Sequence, residues 1–275
     1  MAKSYCNLWP QIVSWDNLFA AYHKCRRGKR YEPEAARFDF DWERQLLVLQ
    51  QELLTGTYQP AAYRNFYIHE PKRRKISAAP FRDRVVHHSL VRVLEPIYER
   101  RFIFDSYACR IGKGTHAAID RAQGYLRRHK FLLKTDIVKF FPNVDHEVHR
   151  RIIAKSVRDD RTMALVDLIL ASGEGVLREE ATNHLFPGDD LFSLLRPRGI
   201  PIGNLTSQFF ANVLLDQLDH HVKETMRVLG YVRYADDMIL FCDCKEELWQ
   251  YRTSIAEFLQ SLRLTIHPHK TFVQP

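Results

Sequence analysis

The order of patterns in the second half of the chain constrains the fold more than any other feature. FLLKTDI (131–137) reads as a strand, Ile202 to Val222 contains a long helix, and GYVRY and MILFC read as strands joined by Ala-Asp-Asp. EELWQYRTSIAEFLQSL then reads as a helix and RLTIH as a strand. This β-α-β-β-α-β series is the split βαβ plan, in which strands one and three are central antiparallel neighbours. The end of strand one and the turn between strands two and three then share one sheet edge, with adjacent strands about 4.8 Å apart. Asp136 ends strand one, and Asp236 and Asp237 form that turn, so three carboxylates distant in sequence are expected to converge.

Ionised carboxylates about 4 Å apart repel by roughly 4 kcal/mol per pair at an effective dielectric near 20, so the cluster calls for a cation. Oxygen ligands with no histidine or cysteine nearby favour a hard ion such as Mg²⁺, with Mn²⁺ as a substitute. Two such ions would stabilise the attacking and leaving oxygens of a phosphoryl transfer.

The first half supplies cations. DWERQLLVLQQELLTG places Leu46, Leu47, Gln50, Leu53 and Leu54 at helical spacing and stops at Gly56, which puts a boundary near residue 60. Ahead of it, KCRRGKR carries Lys24, Arg26, Arg27, Lys29 and Arg30, a run that reads as a solvated loop, a phosphate-contacting arm or a docking site for an acidic partner. RNFYIHE and KISAA read as a hairpin whose turn bears Lys72, Arg73, Arg74 and Lys75, a tip suited to polyphosphate. A helix follows with Val86, Leu90, Val93, Leu94 and Ile97 on one face, and after CRIGKG a second one, capped by Thr115, turns Ala118, Ile119, Ala122 and Leu126 inward.

Several of these segments together resemble the reverse transcriptase family. YADD within GYVRYADDMILF is similar to the family's catalytic box, and KTDIVKFFPNVDHE resembles its first aspartate motif. SYACRIGKGTHAAI, GIPIGNLTSQFFANVLLDQLD and LRLTIHPHKT match further blocks in the family's order, so the resemblance covers residues 65 to 273. It implies an α+β right-hand polymerase: an N-terminal basic and helical extension over 1–60, fingers over 61–130, and a palm over 131–275 with a fingers-like insertion around 158–200. The chain ends at Pro275, where the family continues into a thumb, so the thumb is expected to be missing.

Carried over by position, the resemblance implies that Asp136 and Asp236 bind the metals, with Asp237 as the adjacent acidic partner. Phe141 would exclude a ribonucleotide's 2′-hydroxyl. Arg74 or Lys75 together with Arg110 would contact the triphosphate, Lys72, Arg73 and the N-terminal cations would contact nucleic acid, and Lys270 would protonate the departing pyrophosphate. Most relatives carry Gln-Gly-x-x-x-Ser-Pro where this chain has Ile202-Gly203-Asn204-Leu205-Thr206-Ser207-Gln208. That variant resembles the enzymes of diversity-generating retroelements, which copy RNA with errors at adenines and work with a small basic accessory protein. Ile202 replaces an amide near the nascent pair with an alkyl group, and a site lacking a polar constraint discriminates less. The alternatives are a group II intron, retron or phage-defence enzyme, or a non-catalytic RNA-binding subunit of polymerase shape. The implied partners are an RNA template, a DNA primer with its cDNA, and dNTPs. Helical spacing puts Gln208, Asn212, Asp216, Asp219 and Lys223 on one polar face of the long helix.

The remaining features bound the setting. An excess of 41 basic over 33 acidic side chains, +8, suits a polyanionic partner. Five cysteines without a CxxC pair support neither a disulfide framework nor a zinc knuckle, and Cys242 and Cys244 read as small core residues. The adjacent pairs His87-His88 and His220-His221 face different directions on a helix and are not expected to ligate metal. No apolar stretch approaches a membrane span, so a cytoplasmic protein of a prokaryote or phage is expected.

Overall fold

The computed structural model describes residues 4–70 and 73–275. The first elements are α1 (Trp9–Ile12), α2 (Trp15–Arg26), α3 (Pro33–Phe40), α4 (Trp42–Thr55), β1 (Arg64–Ile68), β2 (Arg74–Ala78) and α5 (Phe81–Glu99). Then come α6 (Thr115–Leu126), β3 (Phe131–Thr135), α7 (Phe140–Asn143), α8 (His146–Ala154) and α9 (Asp160–Ser172). The last are α10 (Leu205–His220), β4 (Gly230–Tyr234), β5 (Asp237–Cys242), α11 (Lys245–Ser261) and β6 (Phe272–Gln274). The mixture of helices and antiparallel sheets is the α+β class expected. The chain divides into two compact units, Met1–Arg100 with Arg150–Leu177 and Gly199–Phe209, and Arg101–His149 with Arg178–Arg198 and Phe210–Pro275.

In the first unit, Tyr22, Phe38, Trp42 and Phe81 form an aromatic cluster between α2, α3, α4 and α5, with Tyr22 stacked on Trp42 and edge-to-face with Phe81. Gly56 ends α4 in the left-handed conformation at φ 75°, a C-terminal cap that a residue with a Cβ seldom adopts. The buried face of α4 is Leu46, Leu49 and Leu53, whereas Leu47 and Leu54 are exposed, a shift from the expected stripe. β1 and β2 form the expected hairpin, paired from Arg64↔Ala78 to Ile68↔Arg74. Arg74 and Lys75 are therefore strand residues and not turn residues. Lys72 lies outside the described residues.

In the second unit the sheet order is β4-β5-β3-β6, with β3 antiparallel to β5, as the split βαβ plan requires. α6 covers it through Ala118 and Tyr125, which join Tyr107, Val232 and Phe241 in one apolar cluster. Ile119 and Leu126 are exposed instead, and Thr115 is the first helical residue, with Gly114 at the cap position. The last strand also differs from expectation. RLTIH makes only an Ile137↔Ile266 bridge, because His267 is followed by Pro268, which has no N–H to donate, and a turn of 3₁₀ helix, Pro268–Lys270, interrupts the pairing. Pairing with β3 resumes at Lys134↔Phe272, so two residues on one side, Thr135 and Asp136, face five on the other, His267 to Thr271.

Three histidines are taken out of water. Burial pushes His87 down to about 3, His88 to about 4 and His149 to about 3, and neither ring nitrogen of His149 has a hydrogen-bond partner in the structure. An unfolded histidine takes up its proton near pH 6.5, so each of these groups stabilises the fold fully above that pH and loses its contribution as the pH falls toward its folded value. Below about pH 6.5, each should cost about 1.4 kcal/mol of stability per pH unit. Denaturant melts between about pH 7.5 and 4.5 should show this slope, and His149→Leu should flatten it; an unaltered slope in that variant would remove His149 as a source of acid sensitivity.

Candidate active site

The pairing of β3 with β5 sets Thr135 opposite Met238, and continuing that register brings Asp136 across from Asp237. The Tyr234↔Asp237 pair closes the β4–β5 hairpin over Ala235 and Asp236. Ala235 holds φ 54° at the first central position of this turn, where glycine is usual. Asp136 is 7% exposed, and its buried Oδ1 has no hydrogen-bond partner in the structure. Its Oδ2 is ion-paired with Lys270 Nζ. Asp236 has its carboxyl pushed up to about 6, first by burial and then by the negative charge of Asp136, with Asp237 adding to it. Asp237 is exposed, and Lys134 Nζ lies 4.0 Å from its Oδ1.

Asp136 and Asp236 thus form a close pair of carboxylates, while Asp237, the first residue of β5, meets Lys134. Among the described residues no three His, Cys, Asp or Glu side chains enclose a common metal position. A closed protein cage is not what Mg²⁺ asks for, since it commonly takes one or two carboxylates and completes its shell with water and substrate phosphates. An all-oxygen pair with an orphaned buried oxygen on Asp136 fits such an ion.

The other predicted residues of this unit are placed as follows. The three-residue turn in the last strand carries Lys270 to Asp136, whose hydrogen bond raises the ammonium's pKa. Phe141 sits in α7, half-buried, with its ring 5.3 Å from that of Phe140. Arg110 donates from Nη1 to the carbonyls of Ile103 at 2.7 Å and Ser106 at 2.8 Å, and so braces its own loop.

In the first unit, Arg74 is exposed on β2, Lys75 Nζ donates to the Val176 carbonyl at 2.8 Å, and Arg73 lies over the Tyr67 ring at 4.3 Å. Lys24 and Arg26 end α2 and so are not loop residues; Arg26 is bound to Asp39, Lys29 is 4.0 Å from Glu32, and Arg27 and Arg30 are exposed. Ile202 is half-buried and its carbonyl accepts from Ser77 N at 2.8 Å, and Gln208 is exposed on α10. Asn204 ties the same segment to β2: its Oδ1 accepts from Ala79 N at 2.9 Å and its Nδ2 donates to Ser77 O at 2.8 Å. At Gly203, φ 112°, a Cβ would come within 2.7 Å of Ile76 Cγ2, which accounts for glycine there.

The expected polar face of α10 is buried: Asn212 is 4% exposed, Asp216 1% and Asp219 0%. The partner is Arg233, also 0% exposed, in the middle of β4. Its Nε and Nη2 donate to the two oxygens of Asp219 at 2.7 and 2.6 Å, and Tyr231 Oη donates to Asp219 Oδ1 at 2.8 Å. The available signal was the i, i+2 placement of Tyr231 and Arg233 on one strand face, opposite a helix bearing an aspartate. The histidine pairs hold no metal cluster among the described residues. His220 is instead pushed up to about 9, chiefly by its hydrogen bond to Asp216. Cys244 is exposed and Cys242 donates to Glu247 at 2.9 Å, so neither is a plain core residue.

Known proteins bear out the family resemblance. Protein YkfC of Escherichia coli K12 is 28% identical over 267 residues, spanning 82% of this chain and 67% of that protein. Group II intron-encoded protein LtrA of Lactococcus lactis subsp. cremoris is 25% identical over 183 residues, covering 66% of this chain and 28% of LtrA. Nuclear intron maturase 1, mitochondrial, of Arabidopsis thaliana is 30% identical over 105 residues, 38% of this chain and 15% of the maturase. The chain thus spans less than a third of the length of the latter two. Among the described residues no helix is long and apolar enough to cross a membrane. Residues 68–274 match the family described as reverse transcriptase (RNA-dependent DNA polymerase), and the chain belongs to that family of nucleotidyltransferases.

Proposed function

We propose that this chain extends a DNA primer on an RNA template, using Asp136 and Asp236 as the metal-binding carboxylates and Asp237 as their acidic neighbour. The observation that carries the reading is the carboxylate pair that the β3–β5 register and the β4–β5 turn bring to one sheet edge, with a lysine ion-paired to it. Two Mg²⁺ ions bound there, or Mn²⁺ in their place, would polarise the attacking 3′-hydroxyl and the leaving phosphate oxygens. Lys270, kept protonated by Asp136, would hold a proton at Nζ for the departing pyrophosphate. Arg110 would approach the triphosphate from its braced loop. Of the two hairpin candidates, exposed Arg74 suits phosphate contact better than Lys75, whose ammonium already donates to a carbonyl. The exposed Arg27 and Arg30 suit the RNA backbone, where each contact adds salt dependence. The domain reading proposed is an N-terminal extension over 1–60, fingers over 61–130 and a palm over 131–275 with a fingers-like insertion around 158–200.

The subtype proposed is the diversity-generating one, with a small basic accessory protein and an adenine-directed error spectrum, on the strength of Ile202. A group II intron type is the second reading, favoured by the intron-encoded relatives.

Asp236→Asn should reduce Mg²⁺-dependent primer extension by at least about a hundredfold while leaving the melting temperature and RNA affinity nearly unchanged, because it removes a metal ligand and no core packing. Substantial synthesis by that variant would overturn the carboxylate assignment.

Phe141→Ala should raise ribonucleotide use relative to deoxyribonucleotide use when both compete on one RNA template. An unchanged ratio with activity preserved would make Phe141 a packing residue.

Ile202→Gln should lower misincorporation opposite adenine more than opposite other bases. One neutral hydrogen bond contributes about 0.5 to 1.5 kcal/mol, so the change should be roughly three- to tenfold. Sequencing cDNA from both proteins tests it, and equal error spectra would favour the intron type.

A further inference from the structure

We infer that Arg233 is a positioning residue for polymerisation, holding the turn that carries Asp236 and the loop that carries Arg110 in one fixed arrangement. The inference rests on the reading of Asp136 and Asp236 as the metal-binding carboxylates.

A buried arginine paired with one carboxylate is poor value as a stabilising device, because a well-packed apolar pair usually does as well. Arg233 does more than pair. Besides its two bonds to Asp219, Nη1 donates to the Ala235 carbonyl at 2.9 Å and to Asn212 Oδ1 at 3.2 Å, and Nη2 donates to Ser106 Oγ at 2.9 Å. Ala235 is the residue of positive φ directly before Asp236, so the guanidinium pins the carbonyl of a conformation that L residues seldom adopt. Without that bond the turn is free to relax, and Asp236 moves with it.

Ser106 leads to the second half of the argument. Its carbonyl is one of the two that Arg110 grips. The backbone of Arg233 fastens the same segment, with its N–H donating to Asp105 O at 2.9 Å and its carbonyl accepting from Tyr107 N at 3.0 Å. Asn212, also bonded to the guanidinium, donates from Nδ2 to Ala108 O at 2.9 Å. One planar fork of donors therefore connects α10, the β4–β5 turn and the 103–110 loop. A lysine would keep the charge against Asp219 but, as a point charge, could not serve these acceptors together.

The test is Arg233→Lys, assayed by primer extension with rates normalised to active sites from the pre-steady-state burst. We expect a cooperative melt and unchanged RNA–DNA affinity. The rate constant kcat should fall about tenfold or more, as for other residues that orient metal ligands, with a higher Mg²⁺ concentration for half-maximal rate and a raised KM for dNTP. A merely structural role would lower the active fraction and leave the Mg²⁺ requirement and KM unchanged, and that result would overturn the inference. If Arg233→Lys does not fold, Ser106→Ala and Asn212→Ala each remove one partner of the guanidinium; wild-type kcat, KM and Mg²⁺ requirement in both would overturn it equally. Asp236→Asn runs alongside. Activity in that variant would refute the underlying site reading, whereas its inactivity beside a normal Arg233→Lys would refute this inference alone.

Discussion

The antiparallel pairing of β3 with β5 is the constraint on which the second unit depends. It fixes a register, and the register decides that the residue after β3 and the turn before β5 meet at one edge. The consequence is electrostatic: two carboxylates are brought together where water is partly excluded, and the carboxyl of Asp236 rises toward neutrality. Apolar packing of α6 and α11 on the sheet keeps that register in place, because a slip by one residue would turn the apolar side chains to the wrong face. The unfavourable charge arrangement is therefore held by packing elsewhere, as strained functional sites commonly are.

Around that edge, the charges are answered locally. Lys270 meets Asp136 from the turn ahead of β6, and Lys134 lies near Asp237 from β3. The buried pair of Arg233 and Asp219 plays a different part, since both side chains are 0% exposed and neither faces the edge as a counter-ion. Its bonds go to irregular backbone and to α10, so its contribution is to geometry. Desolvating such a pair is tolerable because nearly every donor and acceptor finds a partner.

The strand order and the meeting of Asp136 with Asp236 were legible in the sequence because alternation and turn residues report local structure directly. The burial of Asn212, Asp216 and Asp219 was not. Polar residues at helical spacing read as a solvent face, and the i, i+2 placement of Tyr231 and Arg233 on a strand far along the chain is too weak a signal to overrule that reading. The last strand was misplaced for a related reason: RLTIH has the right alternation, but Pro268 and the following turn shift regular pairing to Phe272–Gln274. On α6, Ile119 outranks Tyr125 in hydropathy, yet Tyr125 is the buried residue: its ring stacks on Phe241 and its hydroxyl is satisfied by Asp105 at 3.2 Å. The family blocks were readable as ordered motifs, while subtype was not, since the unusual segment at Ile202 also packs Gly203 against β2, and that packing alone constrains its residues.

The turn Pro268–Lys270 has a consequence for which changes the chain can accept. Backbone pairing exists on both sides of it, from Ile266 to Ile137 and again from Phe272 to β3, so its length is fixed at either end. A substitution within it alters one side chain. Deleting or inserting a single residue would shift the following strand by one position, exchange its two faces and carry Lys270 away from Asp136 in the same step. Variation in this segment should therefore run through residue type and never through length.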